Sequence, residues 1–242
     1  MTTKVVDVLQ RAVWILQDEG NDRWTSDELV QWFNDAQTAM QNLRPDTTSV
    51  QASLQLAPGA FQNLMDSAFN LPQMPAKLLK VVRNTSTAGR RRAIRLVSKD
   101  VMDVVNPDWQ SDPPQTDAVN YMTDPNFPAC FWIYPAAPDP QNSALIPAMQ
   151  VEIHYSAQPA KIDPPGEGKT WKDVLGDISV RDRFAMILPD YIVYRAFLKD
   201  AEFGGNGSRA QTHFELFQGA LQADMQGTLV AQPSAKQPVK TA

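Results

Sequence analysis

The sequence predicts an α+β protein: a helical body formed by the N- and C-terminal parts of the chain, a β-rich and proline-rich insertion between them, and an extended C-terminal tail. Three observations carry this expectation. Apolar residues recur at 3.6-residue spacing near both ends of the chain. The period changes to two at about residue 49 and is again two at 149–155. Nineteen prolines against eleven glycines point to stiff, extended connections, with residues 107–148 punctuated by proline. The expected segments are 1–70 and 169–227 for the two parts of the body, 71–168 for the insertion and 228–242 for the tail.

Taken in order, Thr2 and Thr3 are placed to cap a first helix with Val5, Leu9, Ala12, Val13 and Leu16 on one face, stopped at Gly20 and Asn21. Ser26 is the expected N-cap of a second helix, with Asp27 and Glu28 at the positive end of its dipole. Its stripe is Leu29, Trp32, Phe33, Ala36, Met40 and Leu43, and Arg44-Pro45 ends it, because a residue before proline avoids the α region. Val50, Ala52, Leu54 and Leu56 then alternate with Gln51, Ser53 and Gln55 as a half-buried strand. Residues 56–59 turn, and 60–69 read as a short helix.

Residues 77–84 and 90–98 predict two paired strands, and Asp100 is expected to cap a short helix reaching Val105. Phe131, Trp132, Ile133 and Tyr134 form a strand bounded by Pro128 and Pro135. Val151, Ile153 and Tyr155 alternate with Gln150, Glu152 and His154 in another. Trp171 to Leu175 is a short helix. A long helix is expected over 181–203, kinked at Pro189 by the loss of one backbone hydrogen bond. The run Gly204-Gly-Asn-Gly-Ser208 breaks it and opens a last helix lined by Ala210, His213, Phe214, Phe217, Ala220 and Leu221. Beyond Gly227 there is no periodicity and no acidic residue, so the tail is expected to order only on binding.

Apolar residues at 43% and charged residues at 20% match an ordinary globular chain. A net charge of −5 argues against general nucleic-acid binding, which needs a basic surface, although a mildly acidic wall would let a duplex slide past. The single cysteine, Cys130, leaves no internal disulfide to form and fits folding in a reducing compartment. The N-terminal residues lack an apolar core of signal-peptide length, and the longest apolar runs are far shorter than a membrane span. A cytoplasmic origin and a place in a soluble assembly follow as expectations.

A search for chemistry finds little. Two histidines and one cysteine cannot assemble the common zinc sites, so no metal and no cofactor are expected. His154 and His213 have no metal-spaced or acid–base partner in view. The run Gly166-Glu-Gly168-Lys169-Thr170 resembles a phosphate loop, but Asp163 stands where the first glycine must be and two prolines replace the preceding strand. Gly204-Gly-Asn-Gly has no strand before it, and no Gly-x-Ser-x-Gly elbow occurs. Pairs such as Asp18 with Glu19, or Asp200 with Glu202, read as solvated helix surface. Arg195 and Lys199 project from one side of a helix and, with Asp200 and Glu202, could make ion pairs across a subunit boundary or merely solvate the helix. Arg83, Arg90, Arg91, Arg92 and Arg95 make the one basic patch. It could touch DNA phosphates, meet an acidic partner, or guard a strand edge.

The segments Arg23–Gln37, Leu43–Asp46, Leu56–Gly59, Leu78–Asn84, Phe127–Pro135, Tyr191–Glu202 and Arg209–Phe214, in that order, resemble the head–tail adaptor (connector) proteins of tailed bacteriophages, in particular the tail-tubular-A-like adaptors of short-tailed phages. The resemblance covers residues 23–214. It implies a structural protein of the virion, with no catalytic site. Such adaptors form a ring, commonly of twelve copies, between the portal protein and the next tail or nozzle component. The helical body walls the DNA channel, the β-rich part contacts neighbours or the tail, and the C-terminal segment docks on the portal.

On this reading Trp32, Tyr191, Tyr194, Arg195, Lys199 and Asp200 are candidates for the contact between neighbouring copies. Trp14, Trp24 and Phe203 are further aromatics beyond what the helices need. Leu229, Val230, Pro233, Lys236, Pro238, Val239 and Lys240 are candidates for the portal contact, and the arginine patch for transient contact with passing DNA. Two alternatives stand beside it: a tail-completion or stopper protein further from the portal, and a phage accessory factor that binds a ligand through the aromatic and proline-rich region.

Overall fold

The computed structural model describes residues 2–85, 91–141 and 147–231, with side chains described as far as Ala223. Within these residues lie five α-helices: α1 (Val5–Leu16), α2 (Ser26–Leu43), α3 (Lys99–Val105), α4 (Leu188–Lys199) and α5 (Asn206–Ala231). Seven strands accompany them: β1 (Ser49–Gln55), β2 (Gly59–Asn63), β3 (Pro75–Asn84), β4 (Arg95–Leu96), β5 (Asn120–Thr123), β6 (Cys130–Ala137) and β7 (Gln150–Ala157). The fold class is α+β, and the chain forms two compact units. One comprises Met1–Arg44 with Pro159–Ala242, the other Pro45–Gln158. The divisions fall at 44/45 and 158/159, not at 70/71 and 168/169, because β1 and β2 are spent in the sheets of the second unit.

The first unit packs α1, α2, α4 and α5 around one core. Helix α1 buries Val5, Val8, Leu9, Ala12, Val13 and Leu16, the face its spacing predicts. Its cap differs from expectation: Lys4 holds the N-cap position, and the Thr3 N–H donates to Asp182 instead. Helix α2 starts from Thr25, one residue before the expected Ser26. The Thr25 hydroxyl accepts from the Glu28 N–H while the Glu28 carboxylate accepts from the Thr25 N–H, so two otherwise unpaired donors are satisfied. The expected kink at Pro189 is absent. Helix α4 begins at Leu188, so Pro189 lies in the first turn, where its missing N–H has no partner to lose. Helix α5 runs past Gly227 to Ala231, which places Leu229 and Val230 in helical and not extended backbone.

The second unit holds two sheets. In one, β7 lies between β1 and β3 and is antiparallel to both; in the other the order is β2-β6-β5-β4. Val151, Ile153 and Tyr155 on β7 are fully buried, as their alternation predicts. The short helix expected over 60–69 shrinks to one 3-10 turn, Ser67–Phe69, because Gly59–Asn63 is strand β2. Gly59, at φ +102°, turns the chain into β2, and the buried Gln62 amide ties that turn by bonding the N–H and C=O of Ala57. Strand β6 continues through Pro135 to Ala137, because the β2–β6 register shifts there and a proline is tolerated at such an irregularity. The expected strand over 90–98 reduces to Arg95–Leu96, which pairs in parallel with β5, while Ala93 makes a single bridge to Arg83. Ser98, not Asp100, sits at the N-cap position of α3.

Candidate functional site

The residues expected at a subunit boundary are largely engaged within their own chain. Trp32 is only 6% exposed and belongs to the core of the first unit. Tyr191 and Tyr194 on α4 stack edge-on, and each also meets a ring on α5, Phe217 and Phe214 respectively. Arg195 donates to Asp35 at 3.2 Å and Lys199 to Glu28 at 2.6 Å, joining α4 to α2. Asp200 accepts from Arg23, whose guanidinium also lies 4.5 Å from the centre of the Phe203 ring. The ions expected to reach a neighbour therefore close within one unit, since each finds an opposite charge on the adjacent segment. Lys199 and Thr25 act on Glu28 together: partial burial pushes its carboxyl up, and their hydrogen bonds outweigh this, leaving it below the ordinary glutamate value.

The basic patch divides. Arg83 donates twice to the Glu152 carboxylate directly across the β3–β7 ladder, at 2.9 and 2.7 Å, so it is a cross-strand pair. Arg91, Arg92 and Arg95 are exposed. Arg90 lies outside the described residues, as do Pro233, Lys236, Pro238, Val239 and Lys240; Leu229 and Val230 are described in backbone alone. Lys169 and Thr170 belong to a turn, and Thr170 caps the short helical turn Trp171–Asp173. His213 bonds the Asp190 carboxylate at 2.9 Å between α5 and α4. Among the described residues no group of three His, Cys, Asp or Glu side chains could hold a metal, and no helix is long and apolar enough to cross a membrane.

Two uncovered apolar surfaces emerge from the structure, of which sequence reading singles out only Trp14. On α3 the valines 101, 104 and 105 share one face, and Val104 and Val105 are 82% and 76% exposed. The helix is seated by its other side. Met102 is buried with Trp109 and Met122, and Asp103 accepts from both Lys99 at 2.7 Å and the Trp109 indole at 2.8 Å. Those two bonds, the Lys99 one foremost, hold the Asp103 carboxyl below its usual value. Asp112 braces the same region by accepting from Asn106 at 2.7 Å and from the Tyr134 hydroxyl at 2.8 Å, which pushes the Tyr134 phenol up.

The second surface is in the first unit. Arg11, Trp14 and Ile15 on the outer side of α1, with Met186, Pro189 and Asp190, line an open groove of about 390 Å³. Trp14 is 57% and Met186 66% exposed. The i, i+3, i+4 spacing of Arg11, Trp14 and Ile15 was visible in the sequence. Their exposure was not, because α1 has a full apolar face besides them.

The charged side chains at the end of α4 close internally, while Val104, Val105, Trp14 and Met186 stand uncovered, and uncovered apolar surface of this kind suits contact with other proteins. The class is a phage structural adaptor: the family model for the SU10 adaptor protein matches residues 3–239. The chain belongs to the SU10 adaptor protein family. No curated protein matches it. Membership makes it a virion component whose contacts are with other head and tail proteins.

Proposed function

We propose that the chain works as one copy in a ring at the head–tail junction, joining the portal protein to the next tail component around the DNA channel, in the manner of the tail-tubular-A-like adaptors. The observation that carries this reading is the adaptor-family match over residues 3–239, nearly the full 242. The helical unit supplies the ring wall, and the β-rich unit contacts neighbouring copies or the tail. The C-terminal residues Leu229, Val230, Pro233, Lys236, Pro238, Val239 and Lys240 reach the portal. Two features support it: the unequal apolar surfaces on the two units, as a head-to-tail contact requires, and a C-terminal stretch rich in proline and lysine and without acidic residues.

The test is truncation after Gly227. The fold of the remaining chain, followed by circular dichroism and thermal unfolding, should be retained while co-sedimentation with the portal falls at least tenfold. Particles that assemble normally from the truncated chain would remove the portal role of this segment. An image of the full chain mixed with portal, lacking any ring, would remove the adaptor position.

A further inference from the structure

We propose that the groove formed by Trp14, Ile15, Met186 and Pro189 receives the α3 valine face of a second copy of this chain. The proposal rests on the ring reading and names the contact that closes it. It starts from an anomaly of composition. Valine is a poor helix former, and among the described residues nothing covers most of Val104 or Val105. The short α3 is held by Met102, Trp109 and the Asp103 bonds, so Val104 and Val105, 82% and 76% exposed, contribute little to seating it.

Shape and charge select the occupant. The valines, at i, i+3 and i+4, form a convex ridge, and the groove is an open, mainly apolar depression lined by Trp14, Ile15, Met186 and the buried Pro189. At the groove, Arg11 touches the Met186 thioether and makes no ion pair among the described residues. Asp190, also lining it, is engaged by His213. On the ridge, Asp100 lies one turn before Val104, exposed and likewise without an ion pair among the described residues. An unpaired cation at the groove and an unpaired anion at the ridge match a copy of the same chain, apolar centre to apolar centre and charge to opposite charge. Ridge and groove lie on different units, so the contact is head-to-tail and repeats from copy to copy, closing a ring or growing a filament.

The experiment uses particles carrying the full chain with Val104→Cys and Ile15→Cys in a Cys130→Ser background, treated with a short bismaleimide. The expected result is a ladder of covalent multimers, absent when either cysteine is omitted. In parallel, Arg11→Asp and Asp100→Arg should each lower incorporation into particles several-fold, and the double variant should recover most of it. Suppose an amine cross-linker gives self-multimers while the cysteine pair gives none and the double variant does no better than the single ones. Then the ring stands and this contact is wrong. If the amine cross-linker gives no self-multimers either, the ring reading fails and this inference fails with it.

Discussion

Asn84 offers the sharpest test of how the β-rich unit is held together. It ends β3, is 1% exposed, and forms with Ala118 a reciprocal pair that stands in for a missing ladder rung. Its amide donates to the Ala118 carbonyl at 2.8 Å, and its side-chain oxygen accepts the Ala118 N–H at 2.8 Å. The amide also reaches the Arg92 carbonyl at 3.3 Å. Leucine at this position has nearly the same size and no polar atoms. It would leave the N–H and C=O of Ala118, itself 2% exposed, without partners. Each orphaned buried group costs about 1–3 kcal/mol, so Asn84→Leu, which orphans two, should destabilise by about 2–6 kcal/mol. At roughly 4–8 °C per kcal/mol for a unit near this size, the thermal midpoint should fall by about 10 °C or more. Urea unfolding gives the free energy, and hydrogen exchange read peptide by peptide locates it. Residues 118–123 and the 91–95 segment should lose protection while α1 and α2 keep theirs. A loss below about 0.5 kcal/mol with unchanged exchange at 118–123 would refute the reasoning, since surface substitutions alone stay within that range.

The capping box gives a smaller effect of the same kind: Thr25→Ala should cost about 1 kcal/mol, read as a lower thermal midpoint of the helical unit, and Thr25→Asp should cost little. Glu28 gives a pH dependence. Its folded pKa lies below the ordinary 4.5, so it contributes stability above that value which is lost as the pH falls through the folded one. Lys199→Met should flatten the fall of the thermal midpoint from about pH 5 to pH 3, and an unaltered acid limb would sink this. For the basic patch, glutamine at Arg91, Arg92 and Arg95 together should lower the salt slope of DNA retention by up to about three, whereas Arg83→Gln should leave it unchanged; no change with the triple variant removes these side chains from DNA contact.

How much of this was legible in the sequence depends on whether the signal was local. The stripes of α1 and of α2 as far as Met40, and the alternation of β1, follow from periodicity, because each buries one face against a single core. Leu43 at the end of α2 is instead 59% exposed, and β7, central in its sheet, buries Glu152 and Ser156 as well as its apolar face. Strand β5 was missed because Asn120–Thr123 is four residues long, too short for a period to register, and is held by its neighbours β4 and β6. Pro189 misled for a positional reason: the same residue kinks a helix from inside and starts one from its first turn, and the sequence does not say where the helix begins. The charged residues misled for a tertiary one. Arg195 and Lys199 do share a side of α4, as their spacing says, but that side faces Asp35 and Glu28 on α2.

That last difference bears on the proposed association of copies. Had Arg195, Lys199 and Asp200 carried the contact between copies, association would weaken steeply with salt. With those charges closed inside one unit, and Val104, Val105, Trp14 and Met186 uncovered, the contact proposed above would draw its free energy mainly from apolar burial, and its exposed Arg11–Asp100 pair would set direction more than strength. Self-association should therefore change little between about 0.1 and 0.5 M salt and strengthen in sulfate, which favours apolar burial. Contact between the arginines and DNA should do the opposite over the same range. One salt titration of assembled particles thus separates the two: steep loss of the ring would return the subunit boundary to the charged residues of α4, whereas a stable ring that releases DNA would assign apolar contacts to the protein neighbours and basic ones to the passing duplex.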